Sequence, residues 1–225
     1  MNIKSILSTL GGVNWLKTFY FNFYYFSFGI AICLPVFIYK HTNLVSLKGR
    51  IIIRGPVKTG IIRIGQGAVG TLDIKYSRTI FQCYGIIVFN GSASIGSGTR
   101  LSVNKAGVLT FGDNFCVTGG SSIICSKQIT FGRECLLSWD ILIMDSDFHH
   151  IYNEKQELIN PPKSILIGDH VWIGCRTMIL KGVNIRNNNV IAAGSKITNN
   201  VIDEYSIVSG VDTQRIIKRN VKWVH

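Results

Sequence analysis

Charge is scarce in this sequence, and acidic charge scarcer still: 16% of the 225 residues are charged, with 24 Lys+Arg against 12 Asp+Glu. The formal net charge of +12 disfavours cationic partners and favours anionic ones, whether phosphorylated cofactors, an acidic lipid surface or nucleic acid. Nucleic acid ranks last, because no zinc-finger or helix-turn-helix pattern is present and the basic residues are scattered, apart from "RIIKRNVK" near the end. Proline is nearly missing between residue 49 and Pro161. Cysteine pairing signals are lacking too: Cys33, Cys83, Cys116, Cys125, Cys135 and Cys175 include no CxxC pair, and no secretory leader with a small-residue cleavage site is recognised. Buried free thiols in a reducing cytoplasm are therefore expected. What is present, 47% hydrophobic residues, suffices for one large domain or a domain with a small appendage.

Residues 18–39, "TFYFNFYYFSFGIAICLPVFIY", carry no charge and are bracketed by Lys17 and Lys40. The length is enough to span a bilayer. Tyrosine and phenylalanine dominate it, however, and Asn22, Ser27, Gly29 and Pro35 interrupt it; such rings prefer the headgroup boundary. Three readings stay open, in order of preference: an interfacial element docked on a membrane, an aromatic segment packed on the domain, and a true span. Residues 1–48 are accordingly expected to form an aromatic, helical, membrane-proximal segment, with an anionic membrane as one expected partner.

From about residue 49 the chain changes character, and Gly, Ser, Asn and β-branched residues take over. Ile167, Ile173, Ile179, Ile185, Ile191 and Ile197 recur every six residues, and four places after each stand Val171, Thr177, Val183, Asn189, Ser195 and Val201, all small or modest in volume. A period of six fits no helix and lacks the reversals of a hairpin sheet. It is the signature of a parallel β-helix, in which each six-residue unit forms one flat side of a triangular coil and three units complete a turn. Isoleucine then stacks on isoleucine inside, and the smaller residue fits near a corner. Shorter runs in shifted phase precede it: Ile95 and Leu101; Phe111, Val117, Ile123 and Ile129; Phe131, Leu137 and Ile143. The coil is expected over residues 49–211, with a basic tail over 212–225. An excursion at residues 148–164, ending in Pro161 and Pro162, interrupts it; long ordered loops in compact domains are usually functional.

The stretches "SWDILIMDSDFHHI", "SILIGDHVWIGCRTMILKGVNI" and "NNNVIAAGSKITNNV", with "IVSGVDTQRIIKR" as a degraded fourth, resemble the hexapeptide-repeat acyltransferases. Within that family the chain is most similar to the sugar O-acetyltransferases of bacterial surface-polysaccharide synthesis, which share an aromatic N-terminal segment. The resemblance covers residues 129–219 closely and 50–128 loosely. It implies a mainly β fold, a left-handed parallel β-helix, and an acetyl-CoA-dependent O-acetyltransferase acting on a saccharide acceptor of capsule or lipopolysaccharide synthesis. It also implies a homotrimer with active sites in the clefts between subunits. A cytoplasmic location, with peripheral contact at the inner face of the plasma membrane, is expected from the unpaired cysteines and the aromatic segment, and no metal requirement is expected on the ligand geometry of the histidines. An amino-sugar N-acetyltransferase and a non-catalytic β-helix scaffold remain alternatives. By motif position the catalytic histidine is His149, with His150 where many relatives carry proline. By the same token Trp172 lines the cleft, Ala193 and Gly194 lie along the pantetheine arm, Cys175 touches it, and Arg215 and Lys218 face the nucleotide phosphates. The segment "GVDTQRIIKR" departs from the family's Gly-x-Pro-Ala-Lys/Arg pattern by an extra residue, which leaves the register of those contacts open.

Acetyl transfer from a thioester to a sugar hydroxyl needs the hydroxyl proton removed as oxygen attacks, a task suited to histidine and contributing about 10²–10⁴-fold. On an extended segment residues i, i+2 and i+4 share a face. Asp145 and Asp147 are thus placed to hold the tautomer of His149 and stabilise its imidazolium, as the third member of a triad does. The competing reading is that an aspartate at the end of a coil caps a turn by accepting from backbone amides. A metal site from His149, His150 and His170 is a further rival, disfavoured because adjacent histidines point to opposite sides of a strand. Trp172 either covers the coil surface or offers its face to a sugar or to pantetheine.

Overall fold

The computed structural model describes residues 10–67, 69–211 and 213–224, so the first nine residues of the expected N-terminal segment lie outside the described residues. From Val36 onward short strands follow one another around a three-sided coil. β1 (Val36–Ile38), β2 (Thr42–Ser46) and β3 (Arg50–Ile53) make the first turn. Up to the last coil each strand then pairs in parallel with the strand three places on, as β1 does with β4 (Ile62–Gln66). The three resulting sheets, of nine, seven and six strands, are the first, second and third faces of a left-handed parallel β-helix.

The isoleucine series fills its interior. Ile167, Ile173, Ile179, Ile185, Ile191 and Ile197 are each 2% exposed or less, and Ile173 lies beside Ile191, Ile179 beside Ile197 and Ile167 beside Ile185, one full turn apart. Each such side chain contributes about 1.5–3 kcal/mol of burial. The companion series, Val171 to Val201, is buried too, at the corners. Asn189 shows why a polar residue is tolerated there: its amide donates to Arg186 O and Asp203 O and its oxygen accepts from Ser206 N. Earlier coils are less regular. Ile64 lies beside Ile95, and Ile95 beside Val117, separations that are not multiples of six, and Phe89, Phe111 and Phe131 replace isoleucine in a stacked ladder with ring centroids 5.2 and 5.6 Å apart.

The first parallel strands lie upstream of the boundary expected at residue 49, because "VFI" at 36–38 and "TNLVS" at 42–46 already belong to the coil. The aromatic segment ahead of them is helical over α1 (Trp15–Tyr25) and α2 (Phe28–Ala31). Asn14 caps α1 by accepting from Lys17 N at 3.0 Å. α1 lies against the open edge of β1: the Asn22 amide donates to Val36 O and accepts from Val36 N, and the Thr18 hydroxyl accepts from Ile38 N at 3.0 Å. Those two side chains stand in for a missing strand, satisfying backbone groups that would otherwise be orphaned. Phe21 enters the coil mouth and meets Phe81 edge-on at 5.3 Å. At the other end β21 (Ile207–Gly210) is followed by β22 (Gln214–Lys218), which turns back antiparallel to it. The chain then returns along the surface so that Trp223 stacks on His170 at 4.1 Å.

Candidate active site

The excursion leaves the coil after β14 (Leu142–Met144), on the second face, and rejoins it at β15 (Ile165–Ile167), on the third. It is therefore an insertion at one corner. Its tip is a small hairpin, with Tyr152 opposite Leu158 and the Asn153 carbonyl oxygen of the side chain accepting from Lys155 N and Glu157 N. Phe148, Ile151, Tyr152 and Ile159 are exposed along it.

The expected convergence of Asp145, Asp147 and His149 on one face does not form, since strand alternation stops at Met144 and Phe148 sits in the left-handed region at φ 64°. Asp145 is fully buried, and its carboxylate accepts from Ser126 N, Lys127 N and Gln128 N at 2.7–2.8 Å. It is the turn-capping aspartate of the competing reading, anchoring the loop root to the coil beneath. Its negative charge adds to burial in pushing the neighbouring Cys125 thiol up. Asp147 is exposed and turned toward Lys181, whose ammonium it accepts, and toward the Asn160 amide at 3.0 Å. The hydrogen bond and charge of Lys181, with the Asn160 bond, hold its carboxyl below the usual range.

Asn160 ties the network together. It donates to His149 O at 2.8 Å and accepts from Ile151 N at 2.7 Å, while Lys181 also donates to Asn160 O at 3.1 Å. The His149 amide in turn donates to Asp147 O at 2.8 Å. The backbone of His149 is thus fixed at both N–H and C=O, and its imidazole projects outward with no partner among the described residues. Sequence reasoning missed Asn160 and Lys181. Asn160 stands immediately before the proline pair that ends the excursion, the one local signal for it.

The other expected site residues sit elsewhere on the prism. Trp172 opens β16 (Trp172–Ile173) on the first face, 37% exposed, its indole donating to Ser138 Oγ at 3.2 Å and its ring 6.1 Å from that of Trp223. Cys175, Ala193 and Gly194 line the corner between the first and second faces, where Gly194 N donates to Cys175 O at 2.8 Å. Gly194 takes φ +72°, a conformation glycine adopts freely. Gly174 has no room for more, since a Cβ there would lie 2.6 Å from Ala193 N. Ala193 and Gly194 are exposed, so this part of the corner offers accessible backbone with no large side chain of its own, next to the exposed Arg176.

Arg215 and Lys218 both lie on β22. A bulge between Ile207 and Val208 sets Lys218 opposite Ile207 and Arg215 opposite Ser209, which turns the two cations to the same outward side despite their odd spacing. Arg215 also borders a groove of about 420 Å³ with Asn200, Asp203 and Arg219. His170 is at a third corner, its Nε2 3.1 Å from Trp223 O and its own carbonyl accepting from the Trp223 indole at 3.0 Å. His149 and His150 are not gathered with it in this chain.

Comparison with known proteins agrees with the coil. The family pattern described as bacterial transferase hexapeptide, six repeats, matches residues 164–199. An Escherichia coli K12 protein assigned to lipopolysaccharide biosynthesis as an O-acetyl transferase is 29% identical over 154 residues, 62% of this chain and 78% of that one. The polysialic acid O-acetyltransferase of Neisseria meningitidis is 42% identical over 65 residues, 28% of this chain and 30% of that one. A solved polySia-specific acetyltransferase superposes with a TM-score of 0.54 at 23% identity, over 82% of this chain and 72% of that one, a likeness of fold.

Proposed function

We propose that this chain, whose residues 164–199 match the bacterial transferase hexapeptide pattern, transfers an acetyl group from acetyl-CoA to a hydroxyl of a saccharide in capsule or lipopolysaccharide synthesis, at the cytoplasmic face of the plasma membrane. The observation that carries the reading is a free imidazole on a pinned backbone: His149 is fixed at both main-chain groups and unengaged at the ring. A general base needs that combination, with orientation set by the protein and the nitrogen left for the substrate. His149 takes the proton of the attacking hydroxyl as the oxygen bonds to the acetyl carbon. It returns that proton to the sulfur as the carbon–sulfur bond breaks, so the products are the acetyl ester and the free thiol. Asp147 acts on His149 through Asn160 and not through a contact with its ring.

The accessible strip at Cys175, Ala193 and Gly194 suits a long, flexible donor arm, and Arg215 and Lys218 at the end of the coil suit its phosphates. That strip and His149 occupy different corners of one prism, so a complete site takes His149 from one copy and the strip from the next. The exposed apolar residues of the excursion fit a loop that reaches a neighbour, and a homotrimer closes three such clefts. Calorimetric titration of acetyl-CoA with thiol release on adding saccharide acceptors tests the reading. The native chain binds and turns over, and His149→Ala binds without turnover. Absence of acetyl-CoA binding by both, or full turnover by His149→Ala, would falsify it; turnover on amino sugars alone would move the chemistry to nitrogen.

A further inference from the structure

The cap of the first coil is inverted in polarity. A solenoid normally ends in a unit that shows water a polar outer face. In α1 the polar side chains Thr18 and Asn22 are buried against β1 beside Phe21, and a broad apolar face points away from the coil: Leu16 is 85% exposed and Phe28, at the start of α2, 73%, and Phe19, Tyr20, Phe23 and Tyr24 are exposed as well. The one charged side chain of α1, Lys17, is folded back to donate to Thr42 O. Charge around this end is one-sided as well. The first acidic residue in the chain is Asp73, whereas Lys4, Lys17, Lys40, Lys48, Arg50, Arg54, Lys58 and Arg63 precede it. Lys40, Lys48 and Arg50 are exposed on the first coil itself.

We propose that this end of the protein docks on an anionic lipid bilayer, with α1 lying flat in the interfacial layer and the basic rim against the headgroups. Tyrosine and tryptophan rings sit at that depth, and basic residues near the surface strengthen binding to anionic lipid. No helix among the described residues is long and apolar enough to cross a membrane, and α1 has 11 residues, so the helix lies on the surface instead of crossing it. A second copy is the poorer occupant of the same face, since two rims of like charge would be brought together. The inference deepens the membrane placement given above and is independent of transfer chemistry, because α1 covers the first coil while His149 leaves the chain several coils later.

Co-sedimentation of the full chain with vesicles of phosphatidylcholine alone and of phosphatidylcholine with phosphatidylglycerol tests it. The triple variant Leu16→Gln, Phe19→Gln, Phe23→Gln removes the apolar face, and Lys40→Glu with Lys48→Glu reverses the rim; thermal melting confirms that each is folded. The native chain binds the anionic vesicles at least tenfold more tightly than neutral ones, the triple variant loses binding to both, and the charge variant loses the preference for anionic lipid. Native protein that stays in the supernatant with both vesicles, or a folded triple variant that binds like the native chain, overturns the proposal. So does a change of oligomeric state in the triple variant without any lipid binding by the native chain, which would mark the face as a contact between copies. Vesicle binding together with failure to consume acetyl-CoA would leave the surface assigned and the transferase reading refuted.

Discussion

At the scale of single residues, Asn160 holds the key position. Its side chain joins the carboxylate of Asp147, the carbonyl of His149 and the amide of Ile151, and Lys181 closes the set from the coil. Asn160→Ala and Lys181→Met are each expected to lower kcat by roughly 10-fold or more, since small displacements of a catalytic group are expensive. KM for acetyl-CoA stays unchanged, because the donor strip is at another corner, and Lys181→Arg retains more turnover than Lys181→Met. Steady-state kinetics with both substrates varied, normalised to the folded fraction measured by thermal melting, separates this from general destabilisation, which lowers apparent kcat only in proportion to the folded protein lost and would not be relieved selectively by Lys181→Arg. The pH dependence follows from the sign of the Asp147 shift. A carboxyl held below its ordinary value of 3.8 keeps its pairing above that value and loses it as pH falls through the depressed one. The clamp therefore stays closed through mild acid, and any loss of turnover between about pH 7 and about pH 5 comes from protonation elsewhere in the site. The spacing of Asp145, Asp147 and His149 was readable as three candidates, but their roles were not. Alternation along a strand assigns faces only while the strand lasts, and here it ends one residue before Asp145.

At the scale of elements, the interior period and the end cap differ in how far sequence carries them. The six-residue isoleucine series is legible because one residue per face must point inward and nothing interrupts the two coils from Ile167 to Ile197 but tight corners. Upstream, separations such as Ile64 to Ile95 carry extra corner residues, so the same physics leaves only short runs in shifted phase. α1 was legible as aromatic and helical, whereas the burial of its polar residues was not. Hydropathy alone places Thr18 and Asn22 outward; only the unpaired edge of β1 makes inward the better direction. Asn22→Leu leaves Val36 N and O without partners in a buried setting, and each orphaned group costs about 1–3 kcal/mol. Urea unfolding should show a loss of at least about 2 kcal/mol on this basis, with Asn22→Gln no better because its longer amide misses the strand. A loss below the scatter of ordinary surface substitutions would mean the edge is satisfied by water.

At the scale of the whole molecule, the two halves of the proposed site stand at different corners of a prism. The accessible strip beside Cys175, Ala193 and Gly194 runs along one corner, and the His149 loop stands out from another, so neither half completes the other within a monomer. The account's central claim is that neighbouring copies supply the missing halves. It is tested most directly by mixing two inactive variants, His149→Ala, which lacks the base, and Ala193→Trp, which blocks the strip, after dissociation and reassembly in equal amounts. Randomly mixed trimers pair an intact base with an intact strip at about a quarter of their interfaces, so about a quarter of native turnover should return, although each variant alone has none. Turnover that stays at zero, with both variants folded and co-assembled, would contradict a shared site and place the donor and the base within one chain.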